Sequence, residues 1–229
     1  MVFQKVFNNN FVQYIINIII FIIFIMYCTK FIEKVNNYLN NIPLYYYLIP
    51  FVIHIISTKL LSDKITLMKD HEPLYDIIMS NTPDLSRYPF IPNIFVAIIG
   101  IFLIIPLFIK PEPKFFRSLI KYISIIILIR TITTQSTILP ASGKCKADGL
   151  FKYIDGHCID KVFSGHTATV LILILLYYRY NIVNINIIYI LLIIHSLLSL
   201  SLILTRGHYT IDIIIAYVIA ISLFSLLDL

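Results

Sequence analysis

The chain has 229 residues, 59% of them hydrophobic and 13% charged, with 18 Lys and Arg against 12 Asp and Glu for a formal charge of +6. Soluble domains run nearer half apolar and a quarter charged, so this composition describes a polytopic membrane protein. The modest positive charge sits in short loops, which argues against a nucleic-acid binder.

A helix needs about 20 predominantly apolar residues to cross a bilayer, with about 17 as the lower limit. The segments 11–28, 42–61, 90–109, 119–140, 162–178, 185–204 and 209–227 qualify, and no soluble domain is inserted among them. The expected fold is therefore all-α, a transmembrane helical bundle. The first segment lacks a strongly basic start and a small-residue cleavage site, so it reads as a helix and not as a signal peptide. Three cysteines make no disulfide scaffold, and none has zinc-type spacing. Cys28 ends an apolar run, while Cys145 and Cys158 share one polar loop, close enough in sequence to pair in an oxidising compartment.

Two loops are long enough to do more than turn. They are "SDKITLMKDHEPLYDIIMSNTPDLSRYP" at 62–89 and "ASGKCKADGLFKYIDGHCIDK" at 141–161. Two spans separate them, so they face the same side, and the turn at 205–208 joins that side after two further spans. The connections "KPEPKFFRS" and "RYNIVN" lie opposite. Parity thus gathers the His- and Asp-bearing sequence on one face, although Lys and Arg occur on both faces and give no orientation.

"RGHYTIDIIIAY", from Arg206 to Tyr217, opens the last span with a histidine and an aspartate. The bland reading is a polar helix start, and the sharper one is half of a catalytic site. His208 and Asp212 stand at i and i+4, which puts both side chains on one helical face. A carboxylate there can fix the imidazole tautomer and leave the other nitrogen as nucleophile or base. "CIDKVFSGHTATV" sets His166 one turn into the fifth span, after Ser164 and Gly165, entering from the same face. Helix starts offer N–H groups and a positive dipole end to an anion, so the pair suits a phosphoryl group. Gly165 allows close backbone approach, Ser164 can donate to a phosphate oxygen, and Arg130 and Arg206 are the charge-neutralising candidates. No Gly-rich nucleotide loop or carboxylate cluster occurs, so neither a metal nor another cofactor is implied. His54 and His195 read as hydrogen-bonded packing residues, and Tyr45–Tyr47 as an interfacial belt.

These motifs resemble those of the sphingomyelin synthase group, a branch of the type 2 phosphatidic acid phosphatase superfamily. "SGHT" followed by "HYTIDIIIAY" is similar to its last two signatures. "RTITTQSTILP", 130–140, resembles its arginine-and-threonine motif, with Ser136 where valine is usual. "PLYD", 73–76, resembles its first motif with Tyr75 replacing a proline, and "CIDKVFSGHT" its third with Ile159 in place of glycine. In the wider superfamily an arginine stands six residues before the nucleophilic histidine. Leu202 occupies that position here, and the Lys-x6-Arg-Pro motif is missing, which favours the synthase branch.

The resemblance implies a six-helix core over 42–229, with an additional N-terminal helix within 1–41. It implies His208 as nucleophile, Asp212 as its orienting partner and His166 as the acid–base residue, on a lumenal or exoplasmic face of the Golgi, endoplasmic reticulum or plasma membrane. The expected reaction moves phosphocholine or phosphoethanolamine from a glycerophospholipid donor to a ceramide acceptor, without metal or cofactor. A hydrolase of the same fold, an inositol phosphorylceramide synthase and a non-catalytic lipid transporter remain alternatives. Tyr209 and Asp76, with Tyr75, Asp84 and Asp160, are headgroup-binding candidates.

Overall fold

The computed structural model describes residues 43–65, 72–109, 112–137, 139–140, 142 and 162–227. The predicted first span at 11–28, all three cysteines, Ile159 and Asp160 lie outside them. Two compact units are distinguished, Pro43–Phe224 and Met1–Ile42 with Ser225–Leu229. The description below concerns the first.

Among the described residues every regular element is a helix. A 3-10 turn at Leu44–Leu48 leads into α1, Ile49–Ile65, and the single turn α2 is Ile77–Ser80. The longer helices are α3, Ile91–Ile109, α4, Pro113–Ser136, α5, Gly165–Arg179, α6, Ile185–Leu204, and α7, Thr210–Leu226. Each apolar segment expected within 42–227 therefore corresponds to a helix, and the differences lie at the ends. α4 starts at Pro113, six residues before the predicted span, because proline suits the first helical position and the Glu112 carboxylate caps Lys114 N at 3.3 Å. It stops at Ser136 and not at Pro140, since Thr137 is already extended, at φ −147°. α5 begins three residues later than expected because Ser164 caps it, its Oγ accepting from Thr167 N. His166 is consequently the second residue of its helix.

α4 packs against α1 on one side and α5 on the other, α5 packs on α6, and α6 packs on α3. The core is aromatic where α4 meets α5. Phe115 meets Tyr177 edge to face at 5.0 Å, and the Tyr177 hydroxyl donates to the Leu103 carbonyl of α3. α7 is tied to α5 at both ends. Ser164 N donates to Asp212 O at 3.4 Å, and Arg179 Nη2 donates to Phe224 O at 2.8 Å.

α6 is long and apolar enough to cross a bilayer, its 20 residues spanning about 30 Å. The outward faces of α6 and α7 are apolar. Ile190, Ile193, Leu197 and Leu200 on α6, and Ile211, Ile214, Val218 and Ile221 on α7, are all exposed. Helical spacing places each set on one stripe, where a water-facing helix would carry polar groups.

Candidate active site

The turn between α6 and α7 sets the site. Arg206 N donates to Ile203 O at 3.0 Å and Gly207 N to Leu202 O at 2.8 Å, the paired bonds of a Schellman cap. Arg206 takes the left-handed position, φ 57°, that glycine usually fills, at a steric cost of roughly 1–2 kcal/mol. Gly207 stands where a Cβ would lie 3.2 Å from the Leu202 carbonyl oxygen. That same carbonyl accepts from His208 N at 3.2 Å. The cap of one helix thus fixes the backbone of the histidine that precedes the next.

His208 is buried, and its Nδ1 lies 3.4 Å from Asp212 Oδ2, at the loose end of the hydrogen-bond range. Asp212 is fully buried, and its Oδ2 also accepts from Tyr209 N at 2.9 Å. Tyr209 is the residue before α7 and Asp212 the third within it, so this bond is one half of a capping box. One carboxylate therefore both closes the helix start and addresses the imidazole, at the positive end of the α7 dipole. Its backbone carbonyl receives Ser164 N, which brings the N-terminus of α5, with half-buried His166, against the first turn of α7.

Arg130 reaches the same place from α4. A Cβ at Gly165 would lie 2.5 Å from Arg130 Nη1, so the guanidinium rests on the glycine that precedes His166. The close approach expected of Gly165 is thus made by an arginine. The hydroxyls of the Arg-Thr motif bond back along α4, with Thr133 and Thr134 donating to Arg130 O at 2.9 and 2.6 Å. Ser164 is completely buried and spends its hydroxyl on Thr167, as the helix cap.

Three residues offered by the sequence as phosphate or headgroup contacts act as ties between loops. Asp76 caps α2, its Oδ1 accepting from Ile78 N and Met79 N at 3.0 Å each. It also receives Thr210 N at 2.7 Å and Thr210 Oγ at 2.8 Å. Burial raises its pKa, but the bonds from Met79, Thr210 and Ile78 outweigh this and hold the carboxyl below its ordinary value. Tyr209 is buried, its hydroxyl accepting from Leu74 N at 3.0 Å and donating to Pro140 O at 3.1 Å. Arg206 Nη2 donates to Thr82 O at 3.0 Å, Nε lies 3.8 Å from Asp84, and its carbonyl receives the Ser142 hydroxyl at 2.7 Å. Buried Arg206 Nη1 has no hydrogen-bond partner among the described residues. Nothing in the sequence points to Thr210, Thr82 or Ser142, whose roles arise only from contacts made far along the chain.

These bonds join the described parts of all three segments that parity assigns to one face. By contrast, the imidazoles of His54 and His195 bond only to neutral groups. His54 Nδ1 lies 2.9 Å from Thr131 Oγ, and His195 bonds to the Thr167 carbonyl and the Tyr217 hydroxyl. Tyr75 and Asp84 are largely exposed. Among the described residues no three His, Cys, Asp or Glu side chains converge as metal ligands would.

Residues 157–229 match the family described as PAP2 superfamily C-terminal. The match includes His166, His208 and Asp212 and supports the type 2 phosphatidic acid phosphatase superfamily. Its members are generally membrane-bound lipid phosphatases or phosphotransferases. The match reaches the superfamily and not the sphingomyelin synthase branch within it. No curated protein sequence matches the chain at a significant level.

Proposed function

We propose that this chain is a multi-pass membrane phosphotransferase of the sphingomyelin synthase type. It moves phosphocholine or phosphoethanolamine from a glycerophospholipid to the primary hydroxyl of ceramide. The observation that carries the reading is the His208–Asp212 pair at 3.4 Å, joined through Asp212 O to the helix start that bears His166.

In this mechanism the Asp212 carboxylate holds the proton on His208 Nδ1, and Nε2 attacks phosphorus. His166 protonates the departing diacylglycerol oxygen, and a phosphohistidine carrying the headgroup remains. Neutral His166 then removes the proton of the ceramide hydroxyl, whose oxygen attacks phosphorus and releases His208. Proton transfer by such a residue contributes about 10²–10⁴-fold in rate. Arg130, beside Gly165, and the buried Nη1 of Arg206 supply positive charge for the phosphoryl oxygens, with the starts of α5 and α7. Asp76, Tyr209 and Ser164 shape the headgroup site by holding its loops and helix start. No metal or cofactor takes part, and no nucleic-acid partner is involved.

Residues 42–229 form the catalytic bundle and 1–41 contribute the additional N-terminal span, with the active face lumenal or exoplasmic. The apolar outer stripes of α6 and α7 support a bilayer around the bundle. A hydrolase of the same superfamily would share the first step and pass the headgroup to water. Membranes containing the protein, supplied with phosphatidylcholine, phosphatidylethanolamine and labelled ceramide, separate the two. The synthase makes a labelled sphingophospholipid that disappears in His208→Ala and in Asp212→Ala. Free headgroup or phosphate released regardless of ceramide would assign the hydrolase, and transfer retained in either variant would remove the mechanism.

A further inference from the structure

The proposed chemistry leaves one buried histidine of the last three helices unused. His195, near the middle of α6, is 1% exposed and makes two hydrogen bonds. Its Nε2 lies 2.9 Å from the Thr167 carbonyl on α5, and its Nδ1 lies 3.0 Å from the Tyr217 hydroxyl on α7. Tyr217 Oη is in turn 3.1 Å from Ser199 Oγ, one helical turn along α6. The two rings meet at 5.2 Å and 68°.

The polarity of this chain follows from its last member. A carbonyl only accepts, so the neutral imidazole carries its proton on Nε2. Nδ1 is then an acceptor, and the Tyr217 hydroxyl donates to it. Having spent its proton, Tyr217 accepts from Ser199. Each member has one role, and the ring has one tautomer and one orientation.

Its place in the bundle gives the arrangement a consequence. Thr167 directly follows His166, and Tyr217 lies on the helix whose first turn holds Asp212. α5 and α7 are bonded directly near the mouth, through Ser164 and Asp212, and at the far end, through Arg179 and Phe224. His195 links them between those two points. We propose that His195 is a positioning residue for the two-histidine site, fixing the axial register of α5 against α7 so that His166 and His208 address the same phosphorus. The inference rests on the two-histidine reading above. A packing residue needs only volume, whereas this role needs directed bonds to both helices.

The test uses the full chain in detergent–lipid micelles, with phosphatidylcholine and phosphatidylethanolamine as donors and ceramide as acceptor. His195→Leu fills the space without hydrogen bonds, Tyr217→Phe removes the link to α7 alone, and His195→Gln restores an N–H toward Thr167. Displacements near 1 Å cost catalysis up to about a hundredfold, so kcat falls about tenfold to a hundredfold in His195→Leu and Tyr217→Phe. The donor KM stays within about twofold of wild type, because bonding to the ground state is untouched. His195→Gln recovers part of kcat. Wild-type kcat in His195→Leu and Tyr217→Phe, or a loss that only follows the thermal midpoint with no recovery in His195→Gln, overturns the positioning role. His166→Ala and His208→Ala run alongside. If each loses at least about a hundredfold in kcat, such a result removes the positioning alone, whereas a wild-type rate in either removes the two-histidine reading and the positioning with it.

Discussion

At the mouth of α5 and α7 a buried histidine faces a carboxylate, whereas in the middle of the bundle the buried histidines face hydroxyls and a carbonyl. Burial does not separate the two regions, since His54, His195 and His208 are all buried. The partner does. A neutral acceptor satisfies an imidazole and holds it in place. A carboxylate also stabilises the imidazolium, so the ring can gain and lose charge during a reaction at modest cost. The mouth adds two helix N-termini and Arg206, while Arg130 serves both regions, resting on Gly165 and acting electrostatically on His54. Ionisable groups inside an apolar bundle are therefore better sorted by the charge of their hydrogen-bond partner than by depth.

That contrast can be broken most severely at its charged end. His208→Ala should eliminate headgroup transfer, and Asp212→Asn should lower kcat by about 10²–10⁴-fold while leaving the backbone cap largely in place, because the amide no longer stabilises the charged ring. Both are read from initial rates of labelled ceramide conversion. His166→Ala should cost about 10²–10⁴-fold, with a leaving group of lower pKa on the donor restoring part of the first step. An Asp212→Asn enzyme at wild-type rate would erase the difference between the two regions.

The neutral end predicts the opposite pattern. His54→Leu removes one buried hydrogen bond and leaves Thr131 Oγ donating to Ile127 O, so stability falls by about 0.5–1.5 kcal/mol and kcat stays unchanged. A thermal midpoint measured beside the transfer rate distinguishes the two effects. The smallest effect belongs to Asp76. Its hydrogen bonds hold the folded pKa below the unfolded one, so its stabilisation is full above about pH 3.9 and is lost as pH falls through the lower, folded value. The gap in thermal midpoint between wild type and Asp76→Asn should therefore hold steady from pH 7 down to about pH 4 and shrink below it.

Much of this arrangement is legible in the sequence. Apolar length locates the helices after residue 42, and counting them places the three polar segments on one face, in keeping with the bonds of Arg206 to Thr82 and Ser142 among their described residues. The i, i+4 spacing points to the His208–Asp212 pair, although His208 stands two residues before α7 and is placed by the cap turn and not by a shared helical face. What the sequence leaves open is which polar groups face a ligand and which face the protein. Asp76, Tyr209 and Arg206 have side chains suited to a headgroup, yet their partners Thr210, Leu74, Pro140, Thr82 and Asp84 are fixed only when distant loops meet. Helix ends are misjudged for a related reason. Glu112 and Ser164 set the starts of α4 and α5 through single hydrogen bonds, which hydropathy does not register.

The central claim is a covalent phosphohistidine on His208, and it is tested most directly by trapping. Purified protein is incubated with donor phospholipid labelled at phosphorus, without ceramide, then quenched in alkali and mapped by peptide. Acid-labile, alkali-stable label on the peptide containing His208, discharged by added ceramide and missing in His208→Ala, is the predicted result. Wild-type protein that stays unlabelled while transferring headgroups, or label that persists in His208→Ala, would contradict it.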